Sequence, residues 1–184
     1  MRTSGLVVLA GALCLVAGCG SAAKQATPTV TVTVTAPAEK AAQANGSAPS
    51  TIGKNLDASD ADSTGTAAAL AFKQPLPALV PPDRAGYEYA GLEVRRCFKT
   101  IVTATPISIG WGPWTLTYKN GTVVESATSW SADHFSVPLY PRDRRVRPGQ
   151  CVRGWIPYEV RKGTRPTSVT YLVDDGDPME WKIR

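Results

Sequence analysis

The chain has 184 residues, 20 Lys and Arg against 15 Asp and Glu, and a formal net charge of +5. So mild a balance, without a dense basic stripe, excludes the usual signature of nucleic-acid binding. With a single His, no nucleophile elbow, no paired His ligands and no glycine-rich phosphate loop, the sequence points away from catalysis and from any metal or cofactor.

The first element is a leader over residues 1–18. Arg2 precedes an apolar stretch, 6–17. The stretch is too short to cross a bilayer, which takes about 20 helical residues. It reads as a signal-peptide core that is removed on export. The run Leu15-Val16-Ala17-Gly18-Cys19 resembles the lipobox of bacterial prolipoproteins. The resemblance implies a diacylglyceryl group on the Cys19 thiol, cleavage before Cys19, and acylation of the new amino terminus. Two acyl chains, at roughly 0.8 kcal/mol per buried CH₂, give a stable anchor. The alternative is an ordinary secretory signal with Cys19 incidental. No second hydrophobic run of membrane length follows. The expected product is a membrane-anchored protein on the extracytoplasmic side that does not span the bilayer.

Residues 19–75 are expected to form the lipidated Cys and a flexible tether. They are rich in Ala, Thr, Ser, Pro and Gly, and Phe72 is their only aromatic. Such a composition buries too little apolar surface to offset its ordering entropy. As a coil it would span on the order of 40 Å. Within it, 29–35 alternates Thr and Val between Pro28 and Pro37. Three readings stay open: a short edge strand, an aggregation-prone stretch, or a Thr/Pro stalk open to O-glycosylation. The Ala-rich stretch 64–72 suggests one or two helical turns, marginal alone.

The domain is expected over 76–184, where all five Trp and all six Tyr lie. Strands are expected at 90–102, 106–111, 114–118, 123–126, 150–160, 168–173 and 179–183. Asn120-Gly121 marks a hairpin between the third and fourth, and Pro148-Gly149 a turn before the fifth. Short strands with turn signals about every ten residues indicate an all-β sandwich.

Cys14 leaves with the leader and Cys19 carries lipid, so Cys97 and Cys151 remain. An even pair in an exported domain is expected to form a disulfide, with two free thiols as the alternative. A metal site would need ligands beyond the single His. Alternation places Cys151 with Arg153, Trp155 and Glu159, opposite Val152, Ile156, Tyr158 and Val160. Cys97 falls with Glu93, Arg95 and Lys99. Both cysteines should therefore point outward, joining neighbouring strands or one strand to a strand end, with Cα atoms about 5.5–6 Å apart.

The segments 86–94, Trp111-Gly112-Pro113-Trp114, Pro138-Leu139-Tyr140-Pro141 and 148–156 together resemble a family of uncharacterised extracellular lipoproteins of actinobacteria. Its immunoglobulin-like domain is similar in fold to a small secreted mycobacterial immunogen. The resemblance covers roughly 83–184, and the Pro148-Gly149-x-x-Val152-x-Gly154 strand opening is its most specific part. It implies an immunoglobulin-like β-sandwich and an extracytoplasmic location, and no catalytic residues. Arg96 departs from it, falling where an apolar inward residue is expected.

Candidate sites follow from what remains. Arg142, Arg144, Arg145 and Arg147 cluster before the Pro148-Gly149 turn. Guanidinium forks suit phosphate and carboxylate, so the cluster fits an anionic envelope polymer or lipid headgroups; a solvated charged loop fits it too. Trp155, beside Arg153, is either a platform for a sugar or partner protein or a cover for the disulfide. Trp111 shares a face with Ile107 and Ile109 and reads as core. His134 reads as a loop residue. Asp174-Asp175-Gly176-Asp177 lacks the spaced ligands of a calcium loop and reads as a turn. The leading function is a surface-exposed, lipid-anchored envelope lipoprotein whose domain binds or scaffolds, with an envelope polymer or protein as partner. The alternative is an accessory subunit presenting a ligand to a transporter or enzyme complex; a hydrolase is the third reading.

Overall fold

The computed structural model describes residues 48–184 apart from 105, 129–130 and 173–176. The leader, Cys19 and the alternating segment 29–35 lie outside the described residues. Eleven strands carry the described chain: β1 Ser50–Thr51, β2 Leu56–Asp57, β3 Ser63–Lys73, β4 Tyr87–Ile101, β5 Ser108–Gly110, β6 Trp114–Thr117, β7 Val123–Val124, β8 Asp143–Arg145, β9 Cys151–Arg161, β10 Ser168–Tyr171 and β11 Met179–Lys182. One 3-10 turn, Ala132–His134, is the only helical element among the described residues.

The strands form a five-stranded sheet, β1-β11-β10-β6-β7, a four-stranded sheet, β2-β3-β4-β9, and a ribbon of β5 and β8. Alternation explains how the two larger sheets meet. Leu92, Val94 and Phe98 of β4 and Val152, Ile156, Tyr158 and Val160 of β9 share one core with Trp114, Leu116, Val169 and Trp181 of the other sheet. Trp114 anchors this core, with ring centroids 4.3 Å from Tyr171 and 5.8 Å from Trp181. The architecture is a β-sandwich, as the sequence indicated.

The Asn120-Gly121 hairpin forms. Leu116 faces Val124 and Thr117 faces Val123. The Tyr118 and Gly121 N–H groups donate to the Thr122 and Tyr118 carbonyls, each at 2.9 Å. Gly121 takes φ 84°, the left-handed conformation that closes a three-residue loop at no steric cost.

The boundary expected at 75/76 does not hold. The Ala-rich stretch is a strand, β3, paired antiparallel with β4 from Ser63↔Ile101 to Lys73↔Gly91. Helix propensity loses here to a ladder offered by a long neighbouring strand. Small residues suit the place: a Cβ on Gly65 would stand 2.0 Å from the Cys97 carbonyl oxygen and 2.8 Å from Nη1 of Arg96. β1 extends the domain further toward the amino end, pairing parallel with β11 through Ser50↔Trp181.

The Pro148-Gly149-x-x-Val152-x-Gly154 opening has a steric basis. Gly149 turns with φ 78°. At Gly154 the segment before Pro141 crosses β9 so closely that a Cβ would lie 2.4 Å from the Tyr140 nitrogen. That segment cannot retreat easily, because Tyr140 N–H donates to the Trp155 carbonyl and Trp155 N–H to the Pro138 carbonyl, both at 2.9 Å. Gly154→Ala is therefore expected to cost about 1–3 kcal/mol as overpacking. Thermal melts should show a drop of several degrees; an unchanged midpoint would mean the crossing segment yields freely.

Candidate functional site

Cys97 and Cys151 are bonded, facing each other across β4 and β9. Cys97 is half-buried and Cys151 exposed, so both point outward as expected and the bridge lies within one sheet. The Cα separation is 4.0 Å rather than the expected 5.5–6 Å. The cause is register. The Phe98 N–H donates to the Gln150 carbonyl, which leaves the directly opposed cysteines as a non-hydrogen-bonded pair, the closer kind in an antiparallel ladder.

Trp155 is neither a surface platform nor a cover for the disulfide. It is 7% exposed and packs in a second cluster with Leu76, Tyr89, Ala127 and Phe135. Alternation put it on the outer face correctly, but loops on both sides of β4 and β9 roof that face. Gly91 makes room for it: a Cβ there would lie 3.0 Å from the indole. Arg153 is exposed and ion-paired with Glu93 at 2.8 Å. The hydrogen bond to Glu93, and then its charge, raise the guanidinium pKa. Trp111 is core, its Nε1–H donating to the Tyr140 carbonyl at 2.6 Å.

The arginines at 142–147 are all exposed, but they do not share one face. Arg144 stands opposite Ile109, and Asp143 and Arg145 stand opposite Gly110 and Ser108. Pleating sends neighbours along β8 to opposite sides. Arg142 lies over the Trp111 ring at 5.2 Å. The structure thus divides the cluster instead of concentrating it. His134 ends the 3-10 turn, its Nδ1 accepting from the Ser131 N–H at 3.4 Å. A Ser131 hydroxyl bond holds the Asp133 carboxyl below its ordinary range. No group of three or more metal-ligating side chains occurs among the described residues.

Arg96 is the residue the sequence flagged without explaining. Its position is inward and it is 1% exposed, so β4 keeps its register and the core accepts a cation. Nε donates to the Tyr171 hydroxyl at 3.2 Å, Nη1 to the carbonyls of Thr66 and Cys97 at 3.4 and 2.9 Å, and Nη2 to the Ala58 carbonyl and Ser63 hydroxyl at 2.6 and 3.5 Å. All acceptors are neutral; the nearest acid in the network is Asp60, which accepts from the Ser63 hydroxyl at 3.2 Å. The guanidinium also lies 4.2 Å over the Phe98 ring. It borders a cavity of about 190 Å³ shared with Tyr140 and Tyr171. Burial pushes the Tyr140 hydroxyl pKa upward, and the Arg96 charge opposes that rise. With its five N–H groups donated within the protein, Arg96 braces the β2–β3 turn, β3, β4 and β10 together.

A larger cleft, about 590 Å³, lies between the β6–β7 hairpin and the end of β9. Its walls include Tyr87, Tyr118, Lys119, Glu159, Arg161 and Arg165. None of these was singled out from the sequence. Their only signal was scattered aromatic and basic letters at strand ends.

The chain matches no protein-family model and no curated protein. Solved structures do resemble it. The yjhA protein of Bacillus subtilis is 14% identical over 73% of this chain and 99% of its own, with a TM-score of 0.50. The secreted protein MPT63 of Mycobacterium tuberculosis is 16% identical over 74% of this chain and 100% of its own, with a TM-score of 0.49. A β-sandwich protein of Clostridium difficile is 12% identical over 72% and 91%, with a TM-score of 0.43. At 14% identity the likeness to yjhA is one of fold alone.

Proposed function

We propose that this chain is a lipid-anchored extracytoplasmic protein whose β-sandwich binds or scaffolds components of the cell envelope. The lipobox-like run ending at Cys19 carries the reading. The Cys97–Cys151 bridge supports it, because disulfides persist outside the reducing cytosol. The fold offers a rigid two-sheet body, the kind of frame on which binding surfaces are built at edges and loops.

The test is direct. Protein from a bacterial membrane fraction should partition into detergent, and its mature amino-terminal peptide should carry acyl mass on Cys19. Cys19→Ala should accumulate as precursor or appear as soluble protein. An unmodified mature terminus at another residue would overturn the anchor. Capture from intact envelopes with the domain as bait separates the two roles: wall glycan favours binding or scaffolding, and one specific protein favours an accessory subunit.

A further inference from the structure

β7 and β9 are edge strands of the two sheets, and the cleft of about 590 Å³ is lined from both, by Val124 of β7 and Glu159, Val160 and Arg161 of β9. Three features of its lining point to one class of ligand. The first is charge: Lys119, Arg161 and Arg165 face a single acid, Glu159, among the lining residues. The second is a pair of half-buried tyrosines held in place. Tyr118 shares a 3.0 Å hydrogen bond with the Thr164 hydroxyl, and Tyr87 carries the Arg84 guanidinium 4.0 Å over its ring. Aromatic rings fixed in this way offer apolar faces with polar tips.

The third feature is bare backbone. Along β9, alternate residues turn their N–H and C=O away from β4. Trp155 bonds Pro138 and Tyr140, and the Pro157 carbonyl accepts from Ala127. Glu159 is next in that series, opposite Tyr89 in the ladder, and neither of its backbone groups bonds another loop backbone group among the described residues. That edge of β9 lines the cleft, and its backbone donor and acceptor would suit a ligand with hydroxyl groups.

We propose that this cleft binds an acidic saccharide, a short run of sugar units bearing carboxylate or phosphate. A sugar face would lie on Tyr118, the acid groups against Lys119 and Arg161, and hydroxyls against the Glu159 backbone. The volume is in the range of pockets that enclose small ligands. The proposal rests on the extracytoplasmic binding reading and gives it a site, and that site is not the divided arginine loop.

The experiment titrates full-length protein in non-ionic detergent with trigalacturonate, glucose 1-phosphate and neutral maltotriose, read by calorimetry. Trigalacturonate or glucose 1-phosphate should bind, maltotriose at least about tenfold more weakly. Raising salt from about 0.05 to 0.5 M should weaken binding, since exposed charges are screened. The exposed pair Lys119→Ser and Arg161→Ser should weaken it about tenfold without altering the melting temperature. Tyr118→Ala should weaken both acidic ligands, whereas Arg142→Ser with Arg144→Ser should leave them unchanged. No binding by either acidic sugar, or loss through the Arg142 and Arg144 variant instead, would overturn the proposal. Acylated Cys19 without saccharide binding would sink the cleft alone; saccharide binding by an unacylated protein would sink the anchor alone.

Discussion

Arg96→Met should unfold at far lower temperature than the wild-type protein, or fail to accumulate. Replacing a buried charge with an apolar chain of similar size is sometimes neutral, because the cost of burying the charge disappears with it. Here that gain is outweighed. The acceptors stay behind, and the shortest two bonds, to the carbonyls of Ala58 and Cys97 at 2.6 and 2.9 Å, serve buried and partly buried backbone in turn. Each orphaned buried acceptor costs about 1–3 kcal/mol, so the loss is on the order of 3–5 kcal/mol against a typical domain stability of about 5–15 kcal/mol. Arg96→Lys should rescue little, since one compact ammonium cannot replace a planar fork. Urea unfolding of the three proteins decides the matter. A midpoint for Arg96→Met close to wild type would show that these carbonyls find water instead.

The second large effect belongs to the disulfide. It closes a segment with a sequence separation of 54, for which the chain-entropy relation gives about 4 kcal/mol. Cys97→Ser with Cys151→Ser, or reductant applied to the exposed bridge, should lower the melting temperature on the order of 10–20 °C. Calorimetry with and without reductant measures this. A shift of only about a degree would mean that the reduced, unfolded chain already holds residual structure that confines it.

The sequence made the repeating parts of this fold legible. β4, β6, β9, β10 and β11 were visible because inward residues recur every second position, and Gly121 marked the hairpin. β3 was not, because Ala67, Ala68 and Ala69 carry no alternation, and their strand state comes from β4, a partner distant in sequence. Trp155 shows the same limit on a face: parity gave its side of the sheet, but the roof over it comes from Leu76 and Phe135, set by loops. Arg96 was visible as a break in the pattern Leu92, Val94, Phe98, and its meaning needed the acceptors that tertiary structure assembles. The cleft was the least legible, because its lining comes from the edges of two sheets and the loops beside them.

The bridge also divides the molecule mechanically. A load applied between the amino and carboxyl ends falls first on β1, which holds β11 by only Ser50 and Thr51, and then on β2 and β3. Peeling can continue into β4 as far as Cys97. There the tension crosses through sulfur to Cys151 and bypasses the residues between. The extensible parts are then 48–96 and 152–184, about 270 Å together at roughly 3.3 Å per residue, while the hairpin of β6 and β7 stays out of the line of force. A domain drawn at its amino end would lengthen like a spring with a fixed stop, the hairpin side of its cleft lying beyond that stop.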